Sequence, residues 1–199
     1  MERTVLFRDF EERDIDFVYQ CKNNEKLNSM VVGKWSPFTR EDAEKWVHGC
    51  MGERDSYKFW AICTNDDEKR IVGWISLSNI DNNTKRVHFH GIVIADSLYR
   101  DGFAWIESYL FILDYVFNTL SFDSVTGSCL IEHKHSTLIS KALFFKVYEI
   151  DKGAFTKNGQ IYDIEKHELY KKDYMTHYKN SEYDIMSIVM RMNKIRKDI

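Results

Sequence analysis

The chain has 199 residues, of which 44% are hydrophobic, 15% aromatic and 30% charged, enough core-forming side chain to exclude a disordered or low-complexity polymer. Its 28 basic residues against 31 acidic ones leave a formal charge of −3, which removes any electrostatic reason to expect nucleic acid as a partner. The apolar run from Tyr109 to Phe117 is broken by Asp114 and falls far short of the ~20 residues that span a bilayer, so no membrane partner is expected.

The amino terminus, Met1-Glu2-Arg3-Thr4, lacks the basic, apolar and small-residue sections of an export signal. Cys21, Cys50, Cys63 and Cys129 form no Cys-x-x-Cys pair and sit among apolar neighbours, so buried, reduced thiols in a cytoplasmic protein are expected. One proline, Pro37, and nine glycines leave no linker, and no internal repeat interrupts the order of elements.

Val5 to Phe10 reads as a strand, followed by a helix capped by Asp14 with Ile15, Val18 and Tyr19 on one face. Thr39-Arg40-Glu41-Asp42 resembles a capping box for a second helix whose apolar face holds Ala43, Trp46 and Val47. Three strands follow, Lys58 to Thr64, Arg70 to Ser78 and Lys85 to Ala95, separated by the turn clusters Asn65-Asp66-Asp67 and Asp81-Asn82-Asn83. From Gly102 to Leu120, Phe103, Ile106, Leu110, Leu113, Phe117 and Leu120 recur at helical spacing and predict one long helix. A strand at Ser124 to Ile131 and a short helix at Ser136 to Leu143 come next. A strand from Phe145 then turns at Asn158-Gly159 into another at Ile161 to Leu169. Ser181-x-x-Asp184 caps a last helix bearing Ile185, Ile188, Val189, Met192 and Ile195.

Two local patterns carry chemistry. The glycine-bearing turn Tyr99-Arg100-Asp101-Gly102-Phe103-Ala104 lies between a strand and the long helix. There the unpaired N–H groups and positive helix end suit a pyrophosphate, although an ordinary tight turn has the same letters. His88 and His90 stand two apart on one strand, hence on one face. Imidazole titrates near neutral pH and suits proton removal; hydrogen-bonded sheet residues, or a metal pair, are the competing readings. Glu132, His133 and His135 have metal-ligand chemistry but no further ligand at recognisable spacing, and a Cys129–His133 nucleophile pair is opposed by the apolar neighbours of Cys129. No metal is expected.

The element order resembles the GNAT family of N-acetyltransferases, nearest the group that acetylates ribosomal-protein N-termini and nucleotide-linked amino sugars. The likeness runs from about Val5 to Tyr178. Its phosphate loop, Gln/Arg-x-x-Gly-x-Gly/Ala, is matched at Gly102 and Ala104 and departs at Tyr99. Val72-Gly73-Trp74-Ile75-Ser76-Leu77 resembles the family's third strand and Gly91-Ile92-Val93-Ile94 its fourth. The family's Asn-x-x-Ser and later Gly-Phe are replaced by His133-Lys134-His135-Ser136 and Phe144-Phe145.

This resemblance implies an α/β (α+β) fold with a splayed mixed sheet of about seven strands flanked by helices, covering residues 1–180, and an appended C-terminal helix over 181–199 packed on the same domain. It implies acetyl-CoA as co-substrate, held by Ile92, Val93, Ile94, Arg100, Asp101, Gly102, Phe103, Ala104 and His133, with Ile92 near the oxyanion donor. It also implies an amine acceptor near Val32, Trp35 and Phe38, a base among His88 and His90, and an acid among Ser136 and Ser140, of which Ser136 is preferred. The expected reaction is direct transfer to a primary amine in a ternary complex. A small molecule or amino sugar is favoured and a protein N-terminus stays open; the rival is a GNAT-like acyl-CoA-binding or assembly module without turnover. The final helix, with Met186, Met190 and Met192, either caps the domain or joins two copies.

Overall fold

The computed structural model describes residues 4–29, 36–52, 54–100, 102–157 and 159–197. Val32, Trp35 and Asp101 of the expected site, and Asn158 of the expected hairpin turn, lie outside the described residues. The elements are β1 (Val5–Arg8), α1 (Ile15–Lys22), α2 (Glu25–Asn28), α3 (Arg40–Cys50), β2 (Tyr57–Thr64), β3 (Ile71–Asp81), β4 (Arg86–Ile94), α4 (Phe103–Asp114), β5 (Ser124–Leu130), α5 (Lys134–Ala142), β6 (Lys146–Lys157), β7 (Gln160–Tyr170), α6 (Lys171–Lys179) and α7 (Ile185–Lys197). The strands order as β1-β2-β3-β4-β5-β7-β6 in one seven-stranded sheet, the mixed α/β class that the sequence predicts.

The chain forms two units, one drawn from residues up to Ser78 and from His90–Ser108, the other from Asn79–Phe89 and from Tyr109 onward. In the first, α1 and α3 lay Ile15, Val18, Ala43 and Val47 against Ala61, Cys63 and Trp74 of the strands. Thr39 caps α3 as predicted: its hydroxyl accepts the Asp42 N–H at 3.1 Å while the Asp42 carboxylate accepts the Thr39 N–H at 2.9 Å. Asp14 does not cap α1. Its carboxylate takes both guanidinium N–H groups of Arg8 at 2.7 and 2.8 Å and the Glu11 N–H at 2.9 Å. A buried carboxylate facing Arg8 at the end of β1 gains more from that fork than from one backbone donor.

The same unit holds a polar anchor that no local pattern announces. Glu107 of α4, only 5% exposed, accepts the Thr4 N–H at 3.0 Å, the Thr4 hydroxyl at 2.5 Å and the Val5 N–H at 3.1 Å. Glu107→Ala strands those donors and is expected to cost about 2–3 kcal/mol. That corresponds to a Tm lower by roughly 5–10 °C in calorimetry at this chain length, and an unchanged Tm would show the anchor to be idle.

In the second unit, Arg86–Phe89 of β4 pair in parallel with Ser124–Gly127 of β5, and β7 lies antiparallel between β5 and β6. The predicted long helix is present but ends differently: Tyr115–Thr119 form a π turn, with Leu120 N–H donating to the Tyr115 carbonyl at 2.9 Å. Its buried stripe runs through Ile106, Tyr109, Ile112, Leu113, Val116 and Phe117, so Phe103 and Leu110 stand off the stripe the spacing predicts. α6 is absent from the predicted elements because among its side chains only Tyr174 is buried, which leaves no apolar period to read. Asp184, not Ser181, caps α7: its carboxylate accepts the Ser187 N–H at 3.0 Å, while Ser181 occupies a left-handed turn at φ 58°.

Candidate active site

The expected site residues divide between the two units. In the first, His90 stands on β4 past the last residue paired with β5, beside Gly91, whose φ of +152° favours glycine. Ile92, Val93 and Ile94 complete this stretch. Burial, and then the Lys22 ammonium, hold the His90 imidazole below its ordinary pKa, so the neutral, proton-accepting form predominates near pH 7. Gly73 on β3 lies so close to β4 that a Cβ there would stand 2.1 Å from the Val93 carbonyl oxygen.

Beyond β4, Asp96 accepts the Leu98 N–H at 3.0 Å and opens a 3₁₀ turn over Ser97–Tyr99. Arg100 turns back instead of projecting outward. Its Nε donates to the Ile94 carbonyl at 2.9 Å and its Nη2 to the Ala95 carbonyl at 2.6 Å, so its head fixes the end of β4. Gly102 has φ +102° with no atom of the other described residues within 4 Å of where a Cβ would sit, and its carbonyl accepts the Ile106 N–H at 3.1 Å. The start of α4 therefore offers backbone that a phosphate can approach closely. Phe103 is exposed and Ala104 is buried.

Phe38 is fastened by Asn23, which accepts its N–H at 3.0 Å and donates to its carbonyl at 3.1 Å. The Lys22 ammonium lies 5.5 Å from the Phe38 ring centroid, 4.7 Å from that of Trp46 and 5.4 Å from that of Trp74, an aromatic cage around a cation. Lys22 is not legible in the sequence, because a lysine on a short amphipathic helix has no signature of its own.

In the second unit His88 Nδ1 lies 3.0 Å from the Thr126 hydroxyl, which orients its ring. His133 is the N-cap of α5, its Nδ1 accepting the Ser136 N–H at 3.2 Å. Ser136 therefore does not cap the helix, and one nitrogen of a residue expected to meet the cofactor is committed. Ser136 is half-buried. Ser140 is 2% exposed; its hydroxyl lies 3.4 Å from His167 Nε2 and also hydrogen-bonds Tyr109. Burial, with His88 adding like charge, pushes His167 down to about 4. Cys129 is half-exposed rather than buried like the other three cysteines; all four are free thiols.

Phe144, where the family resemblance leads one to expect glycine, has φ +66°. It ends α5 in a Schellman turn, with Phe144 N–H donating to the Lys141 carbonyl at 3.1 Å and Phe145 N–H to that of Ser140 at 3.0 Å. A side chain at this angle costs on the order of 1 kcal/mol. Its ring stacks on His177 with centroids 3.5 Å apart and carries the Arg191 guanidinium 4.4 Å above it. Arg191 Nε also donates to the Ala142 carbonyl at 2.8 Å and the Tyr183 hydroxyl to that of Leu143 at 3.1 Å, so α7 and the segment before it satisfy the open carbonyls of α5.

Three solved structures share the fold. A spermidine N-acetyltransferase from Vibrio cholerae in complex with CoA and spermine superposes with a TM-score of 0.76 at 19% identity, covering 86% of this chain and 98% of that one. A GNAT-family acetyltransferase from Bacillus anthracis gives 0.71 at 19% identity, covering 86% and 96%. The Vibrio cholerae spermidine/spermine enzyme with manganese ions gives 0.68 at 19% identity, covering 87% and 96%. No curated protein sequence matches the chain. The family model described as an acetyltransferase (GNAT) domain matches residues 4–146, and the chain belongs to the GNAT acetyltransferase family.

Proposed function

We propose that this N-acetyltransferase moves the acetyl group of acetyl-CoA to the primary amine of a small molecule or amino sugar in a single ternary complex. The observation that carries the reading is Gly102, a positive-φ glycine with open space around it at the head of α4. Backbone N–H groups and the helix dipole there suit the CoA pyrophosphate. His90, held neutral, takes the proton from the acceptor ammonium directly or through water, with His88 as its partner on β4. A β4 N–H near Ile92 stabilises the tetrahedral oxyanion. The amine nitrogen bonds to the acetyl carbon and the carbon–sulfur bond breaks; protonating the departing thiolate is the role that the family resemblance gives the Ser136 hydroxyl. Ser140 is disfavoured for that task by its burial against Tyr109 and His167.

The fold likeness to spermidine enzymes suggests polyamines as acceptors, whereas the sequence resemblance suggests amino sugars or protein N-termini. Lys22 favours an amine with few positive charges, because its ammonium already lowers the pKa of His90 and would repel a polycation. Calorimetric titration with acetyl-CoA, CoA and a nicotinamide nucleotide tests the cofactor. Thiol release with a nucleotide-linked amino sugar, spermidine and a short peptide tests the acceptor. Micromolar acetyl-CoA binding is expected, weakened at least tenfold in Gly102→Val as the added side chain strains a positive φ and blocks the approach. Binding without thiol release on any acceptor supports the rival, a module without turnover.

A further inference from the structure

We propose that Cys129 of β5 with Glu165 and His167 of β7 forms a binding site for a thiophilic divalent cation of the zinc class. Cys129 is paired with Glu165 across the two strands, and Gly127 with His167. Residues two apart on a strand share a face, so thiol, carboxylate and imidazole converge on one side. Gly127 permits this: a Cβ there would stand 2.6 Å from His167 Nε2, so the histidine ring occupies space that any other residue would fill. One ligand atom from each of the three side chains lies within 4.8 Å of the others. Tetrahedral zinc bonds of ~2.0–2.3 Å place neighbouring ligand atoms roughly 3.3–3.8 Å apart, a contraction within reach of small side-chain rotations.

A second observation points to a ligand. His167 and Glu165 are 3% and 7% exposed, yet among the described residues His167 Nδ1 and Glu165 Oε1 have no hydrogen-bond partner. Orphaned buried atoms of this kind cost about 1–3 kcal/mol each, and more for a carboxylate; a cation satisfies both together. Neighbouring hydroxyls supply the outer support such sites need: Ser140 lies 3.4 Å from His167 Nε2 and Thr137 3.7 Å from Cys129 Sγ. Half-exposed Cys129 gives the ion a way in. With three protein ligands, the fourth corner falls to water. Cys129, Glu165 and His167 have no short spacing that would mark them in the sequence, since only strand register brings them together.

The experiment uses the full-length protein after chelator treatment, titrated with Co²⁺ and then Zn²⁺. One equivalent of Co²⁺ is expected to produce a thiolate-to-cobalt charge-transfer absorption that Zn²⁺ abolishes. Cys129→Ser is expected to lose the band, and His167→Gln and Glu165→Gln to weaken binding at least tenfold, while Cys63→Ser leaves it unchanged. Should a variant fail to fold, alkylation of Cys129 in the native protein, followed by mass spectrometry, reads the same contact: Zn²⁺ is expected to slow it at least tenfold. Cobalt bound without a thiolate band, equal affinity in all variants, or no protection of Cys129 overturns the site. None of these outcomes depends on acetyl transfer.

Discussion

Replacing both His88 and His90 with alanine is expected to lower kcat by about 10²–10⁴-fold, the usual contribution of a positioned general base, while acetyl-CoA affinity stays within twofold. The separation of effects matters, because a histidine that merely supports the sheet would lower stability and cofactor affinity together. A pH profile sharpens the test. The His90 pKa is depressed first by burial and then by Lys22, so the base-competent neutral form persists below the ordinary imidazole value near 6.5. The acid limb of kcat/KM is therefore expected below pH 6.5. Lys22→Met keeps the stem among Phe38, Trp46 and Trp74 but removes the charge, and should move that limb upward. A limb that does not move in Lys22→Met, or a double variant with wild-type turnover, removes His90 from the reaction.

Gly73→Val is expected to be the most destabilising single substitution among the strand glycines. The new Cβ would lie 2.1 Å from the Val93 oxygen and 3.1 Å from the Ile94 Cα, backbone atoms on both counts. No side chain can swing aside, so β3 and β4 must separate, at a cost of about 3 kcal/mol or more. At this chain length the Tm should fall by roughly 6–12 °C. Because Val93 and Ile94 are expected pantetheine contacts, acetyl-CoA binding should weaken in the same variant even where it is still folded. Gly91→Ala is the control: its positive φ strains the chain, but the space around it is open, so its loss should be smaller. A Gly73→Val protein as stable as Gly91→Ala would contradict the close approach.

The fold was legible where one physical signal dominated. Alternating strands, the Thr39 capping box and the presence of α4 each follow from periodicity or local hydrogen bonding, although the buried stripe of α4 leaves out Phe103 and Leu110. What escaped were features decided by distant partners. Asp14 has the letter of a helix cap, but Arg8 takes its carboxylate. Glu107 carries no signal in the sequence, and only the fold brings it to Thr4 and Val5. Arg100 reads as a free phosphate ligand until its guanidinium finds the Ile94 and Ala95 carbonyls. For the site, the glycine turn and the strand histidines could be named from sequence because their chemistry is local. The Lys22 cage and the Cys129, Glu165 and His167 cluster could not, since packing and strand register assemble them.

Phe144 bears on how a departure from a family pattern is counted. Compared letter by letter, phenylalanine for glycine is a loss. Compared by torsion angle it is a retention, since residue 144 holds φ +66° and closes the same turn that glycine favours. His177 stacks on the ring and the Arg191 guanidinium lies over it, contacts that offset the cost of the angle. Residues 144, 177 and 191 therefore form one packed set in this chain. A chain carrying the aromatic residue without its two companions would be the one to suspect of decay.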